Sequence, residues 1–139
     1  MGYETATIHP RLFYKDTRAA IDWLERAFGF RQLMAAPDEQ GRIVHAELAL
    51  GPLVIMAGDV GAGSMAQATT PRDSGGYTQS VYIAIDNDAV RSHYERAKAA
   101  GAEITRELET KDYGGSGYSA RDLEGHEWSF GSYRPEIPA

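Results

Sequence analysis

His45 and Glu47 stand two residues apart in the run IVHAELAL, residues 43–50. In a strand that spacing puts an imidazole and a carboxylate on one face. Such a pair can act as a general base with its orienting partner, offer two donors to a divalent ion, or hydrogen-bond neighbouring strands and solvent. The other imidazoles are His9, near the start of a strand, His93 in a helical stretch and His126 in a tight turn; the last two are expected to be exposed. The absence of cysteine removes thiolate ligands, cysteine nucleophiles, disulfides and thiol redox chemistry together. No Gly-x-Ser-x-Gly nucleophile elbow occurs. The glycine-rich run Tyr113-Gly114-Gly115-Ser116-Gly117-Tyr118 lacks both a following helix and a Lys-Ser/Thr pair, so it is no phosphate cradle. It reads as a long hairpin loop, or as a gate flanked by aromatics.

These residues need elements to position them. Thr7–Tyr14 reads as a strand, and Asp16 is placed to cap a helix from Thr17 to about Phe28 whose stripe is Ala20, Ile21, Leu24, Ala27 and Phe28. Gly29 supplies its left-handed stop. Strands follow over 31–36, 43–50 and 53–57, joined by turns. Residues 59–79 are rich in small residues without periodicity and read as a connector, or a lid.

The pattern then restarts. Residues 80–85 alternate as a strand, and Asp86, Asn87 or Asp88 can cap a helix to about Ala100 carrying Val90, Tyr94 and Ala97 inward. Strands over 103–108, 118–122 and 127–131 complete the set. Glu25-Arg26-Ala27 matches Glu95-Arg96-Ala97, and Asp16 matches Asp86 at the same offset. Element order and local match together predict an α+β fold of two βαβββ modules, curved as a mixed sheet around a pocket with helices on the convex side. The expected divisions are module one over about 6–58, the connector over 59–79, module two over about 80–134 and a tail over 135–139, all in one domain.

Alternation assigns the faces. Val81, Ile83, Ile85, Trp128 and Phe130 are expected under the helices, and Ser80, Tyr82, Ala84, Glu127, Ser129 and Gly131 on the concave face. In LVIMA, residues 53–57, both faces are apolar and the assignment stays open. The chain has 139 residues, 42% of them hydrophobic, and a net charge of −6. That balance argues against nucleic acid and anionic membranes as partners. With no apolar run near Met1 and no segment of about 18 apolar residues, the expected location is the cytoplasm.

The motifs HPRLFYKDTRAAIDWLERAFGF, HAELALGPLVIMAGD and DLEGHEWSFGSYRP resemble the vicinal oxygen chelate superfamily, which holds glyoxalases, extradiol dioxygenases and fosfomycin- and bleomycin-resistance proteins. The resemblance covers about residues 7–134 and is closest to the bleomycin-resistance-like, or loosely glyoxalase-like, branch. It implies a small-molecule ligand and a homodimer with two-fold symmetry. The family's four metal-ligand positions fall on His9, Met56, Ser80 and Ser129, of which only His9 suits a divalent ion. A non-standard set of His9, His45 and Glu47 is the alternative, serving a metal-dependent lyase or dioxygenase. A third reading makes Glu47 and His9 the acid and base of an isomerase. The leading expectation is a cofactor-free protein that binds or sequesters an apolar or cationic compound. Its expected pocket is lined by Arg11, Phe13, Met56, Tyr82, Tyr113 and Tyr118, with Trp23 either there or in the core.

Overall fold

The computed structural model describes residues 2–63, 66–111 and 114–138. The elements run β1 (Arg11–Tyr14), α1 (Thr17–Phe28), β2 (Arg31–Pro37), β3 (Ile43–Leu50), β4 (Leu53–Asp59), α2 (Pro71–Ser74), β5 (Val81–Ala84), α3 (Val90–Ala99), β6 (Glu103–Thr110), β7 (Ser116–Arg121) and β8 (Glu127–Gly131). They form two four-stranded mixed sheets of identical topology, β1-β4-β3-β2 and β5-β8-β7-β6. In each, the first strand pairs in parallel with the last, and the remaining pairs are antiparallel. The repeat read from the sequence is thus a repeat of structure, carried by two sheets rather than one continuous sheet.

The first helix follows its local signals. Asp16 caps it by accepting from the Ala19 amide, and Gly29 ends it at φ 88°. The second half departs from expectation: Asp86 makes no side-chain cap, and a single 3-10 turn over Asn87–Ala89 precedes α3. Asp86 instead pairs with Arg134 at 3.2 Å.

Both helices feed one core. Phe28 of α1 packs on Trp128 and Phe130 of β8, with ring centroids 5.3 and 4.7 Å apart, so the modules share aromatic packing. Trp23 belongs to this core and is buried. Its indole N–H donates to the Ala100 carbonyl at the end of α3 (2.8 Å). Across the pseudo-repeat, His93 Nε2 donates to the Phe28 carbonyl at the end of α1 (2.7 Å), and Arg96 donates to the Glu25 and Arg26 carbonyls. Each helix therefore donates side-chain hydrogen bonds to carbonyls at the other's C-terminal end.

A second seam joins the β1–α1 junction to the β7–β8 turn. The buried Asp122 carboxylate accepts from Tyr14 Oη (2.7 Å), Trp128 Nε1 and the amides of Glu124 and His126. Glu124 accepts from the amides of Lys15 and Asp16, and His126 Nε2 donates to the Phe13 carbonyl. The expected exposure of His93 and His126 is corrected: both are half-buried bridges between the modules. Their inward turn follows from the open helix-end and strand carbonyls nearby, which a ring N–H satisfies. The connector is likewise pinned in part. Thr70 is buried and caps α2, and the Arg72 amide donates to the Glu124 carbonyl.

Candidate functional site

Pairing registers define what the helix-free face of the first sheet presents. Arg11 pairs with Met56, Met56 with Glu47, and Glu47 with Met34, so these four side chains form one row across β1, β4, β3 and β2. Phe13 and Gly58 pair beside that row and share a depression with His45. The ambiguity in β4 is resolved by burial: Ile55 and Ala57 lie inside, whereas Val54 and Met56 face out. A shallow depression is lined by Arg11, Phe13, Val44, His45, Met56 and Gly58. All are first-sheet residues. Gly58 is required there, because a Cβ would meet the Val44 carbonyl oxygen at 2.8 Å.

His45 Nε2 and Glu47 Oε2 bond at 2.9 Å, each side chain about one-third exposed (34% and 35%). Among the described residues no protein donor reaches Glu47 Oε1. The Arg11 guanidinium lies over the Phe13 ring, 5.8 Å from its centroid.

His9 stands apart from this pair. Its Nδ1 donates to the Val54 carbonyl (2.7 Å), and its Nε2 faces the Thr7 hydroxyl at 2.8 Å. Val54 pairs with Ala49, whereas Glu47 pairs with Met56, so His9 sits about 7 Å along the strands from Glu47 and further from His45. The three donors of the non-standard metal set therefore do not converge. At the remaining family positions, Met56 offers a soft thioether, Ser80 is exposed ahead of β5, and Ser129 is bonded to Ser119 at 2.7 Å. Among the described residues no group of three or more His, Cys, Asp or Glu side chains is placed to hold an ion. These side chains do not supply the converging charged or imidazole donors that a divalent metal needs.

On the second sheet Tyr82, Ser129, Ser119 and Arg106 form the corresponding row across β5, β8, β7 and β6. Tyr82 is 41% exposed, with its hydroxyl donating to the Tyr133 carbonyl (2.6 Å). Tyr118 is not part of that face. It is fully buried beneath α3, its hydroxyl donating to His93 Nδ1 at 2.7 Å. Burial raises its pKa and lowers that of His93, keeping phenol and imidazole neutral. Strand alternation carries the reason: Tyr118 pairs with Phe130, a helix-side residue, so it turns the same way. Tyr113 lies outside the described residues. Sequence reading passed over Arg106 and Ser119, because β6 is polar except at Ile104 and Leu108 and bulged on both sides of Arg106, which hides its alternation.

A parallel–antiparallel four-stranded sheet with one crossover helix, occurring twice, defines a paired βαβββ protein in which each sheet keeps one helix-free face. The chain belongs to the glyoxalase/bleomycin resistance protein/dioxygenase superfamily, whose family model matches residues 7–130. Among solved structures it is similar to TioX from Micromonospora sp. ML1, at 34% identity and TM-score 0.71, covering 96% of this chain and 100% of that one. It also shares its fold with the fosfomycin resistance protein FosX of Listeria monocytogenes, solved with Mn(II) and sulfate, at 17% identity and TM-score 0.66 over 94% of this chain and 93% of that one. Mb0911c, an uncharacterized protein of Mycobacterium bovis, is 29% identical over 131 residues, 94% of this chain and 85% of that one. No described helix is long and apolar enough to cross a membrane.

Proposed function

We propose that this protein binds, and thereby sequesters, a small apolar cation on the helix-free face of its first sheet, without a metal and as a homodimer. The observation that carries the reading is the row Arg11–Met56–Glu47–Met34, in which a carboxylate with one open oxygen sits between two thioethers. Methionine side chains adapt to varied apolar shapes, and a carboxylate in a part-dry setting favours a cationic or N–H-bearing group. Phe13 and the stem of Arg11 extend the apolar wall. Leu33 and Val44 are exposed alongside Met34. Apolar surface of this kind is ordinarily covered, and a second copy related by a two-fold axis is the commonest cover. The lack of cysteine suits residence in the cytoplasm.

Thermal unfolding in metal-free buffer tests the reading. A cationic aromatic dye such as ethidium is expected to raise Tm in a saturable way, unaffected by EDTA, with Glu47→Gln weakening the dye about tenfold. Light scattering is expected to give twice the chain mass. A near-stoichiometric divalent ion in protein purified without chelator, lost on His9→Ala, overturns the reading in favour of metal-dependent chemistry.

A further inference from the structure

The second sheet carries a differently charged site. Gly117 and Gly131 pair across β7 and β8, giving two adjacent strands a floor without side chains. Neighbours from both edge strands lean over it. A Cβ on Gly131 would meet the Tyr82 hydroxyl at 3.0 Å and ring carbon Cε1 at 3.4 Å; one on Gly117 would meet Arg106 Nη2 at 3.6 Å. A phenol ring and a guanidinium thus approach from opposite edges over a glycine floor, with the Ser119–Ser129 hydroxyl pair in the adjoining row.

The donors at this place are not used up. No hydrogen bond is made by Arg106 among the described residues, and its nearest acid is Glu109, at 4.0 Å and already bonded to Lys111 at 2.9 Å. Two serine hydroxyls bonded to each other use one of their two protons, so one O–H remains to donate. Tyr82 donates to Tyr133, which holds its ring in place and leaves the ring face as the apolar wall. Arg121, by contrast, is spent on Glu103 and Glu127.

We propose that this face binds the carboxylate of a small aromatic acid. Arg106 and one serine hydroxyl hold the two oxygens, and the aromatic group lies against Tyr82. A guanidinium fork matches a planar carboxylate and is stronger than a neutral hydrogen bond. A dianion is disfavoured, because the Glu109 carboxylate already stands 4.0 Å from the Arg106 guanidinium. Glycines at 117 and 131 let Tyr82 and Arg106 lie close to the sheet; a Cβ at Gly131 would also meet the Ser116 carbonyl at 3.0 Å, and one at Gly117 the Phe130 carbonyl at 3.2 Å. The site is distinct from the cation-binding face of the first sheet, and its test uses neither that probe nor those residues.

Titration of 15N-labelled protein with sodium benzoate tests the proposal through the amide signals of Gly117, Ser119, Ser129 and Gly131. Saturable shifts at these four positions are expected, weakened at least about tenfold by Arg106→Gln and measurably by Ser119→Ala, with Lys98→Gln as a charge control that leaves them intact. Equal binding of neutral benzamide, tighter binding of inorganic phosphate, no saturable shift at millimolar benzoate, or unchanged affinity in R106Q would each overturn it. Spectra of both variants report folding directly, so a loss of affinity in a well-dispersed spectrum counts for the site.

Discussion

At the scale of single residues, Gly58 and Asp122 illustrate two kinds of constraint. Gly58 lies where the bulged end of β3 brings the Val44 carbonyl across β4. A methyl group there has no room unless backbone moves, so Gly58→Ala is expected to cost about 1–3 kcal/mol, read as a lower urea midpoint at unchanged m-value. The sequence showed this residue only as the end of an apolar run. Asp122 collects four donors in a buried setting, and burial together with its charge pushes the Tyr14 phenol up. Tyr14 therefore stays a donor across the ordinary pH range. Met56 was readable as a poor metal ligand from its side-chain type alone. That it faces outward beside Glu47 was not, since LVIMA is apolar at every position.

At the scale of elements, the two helices cap each other. Trp23 and His93 occupy matching places in the repeat, and each donates to a carbonyl at the other helix's end. His93 is thereby held neutral, with its pKa lowered first by burial and further by Arg96. The unfolded chain then binds a proton at its ordinary value of 6.5, before the native state does. Stability from this site is full above that value and is lost as pH falls from 6.5 toward the lowered native value. Denaturant melts across this range should show a wild-type loss that His93→Gln flattens; parallel pH slopes would refute the assignment. Tyr118→Phe, which strands His93 Nδ1 without its donor, is expected to cost about 1–3 kcal/mol. The periodicity of the helices was plain in the sequence, including the Asp16 cap and the Gly29 stop. The inward turn of His93 was not, because its partner Phe28 is 65 residues away.

At the scale of the whole molecule, the modules are held by a shared aromatic core and by the polar seam around Asp122. Removing a buried carboxylate's partners or the carboxylate itself leaves several polar groups unsatisfied together. Asp122→Ala is expected to cost about 3–5 kcal/mol, and hydrogen exchange should then rise at the β1–α1 junction and the β7–β8 turn together. Exchange rising in the turn alone would show that the seam does not couple the halves.

The sequence by itself determined the element order, the duplication, the capping of α1 and most of the buried faces, because these depend on neighbours two to four residues apart. It also determined that the family's metal-ligand positions carry unsuitable side chains. Only the tertiary structure decided that Tyr118 turns to the core and His9 stands away from His45. It alone showed that Arg106 leans from a bulged strand over Gly117 of its neighbour. These outcomes depend on strand register and on partners distant in the chain, such as Tyr14 and Asp122, which are 108 residues apart. A local pattern carries no record of which strand will lie beside which, so the faces were legible while their meeting points were not.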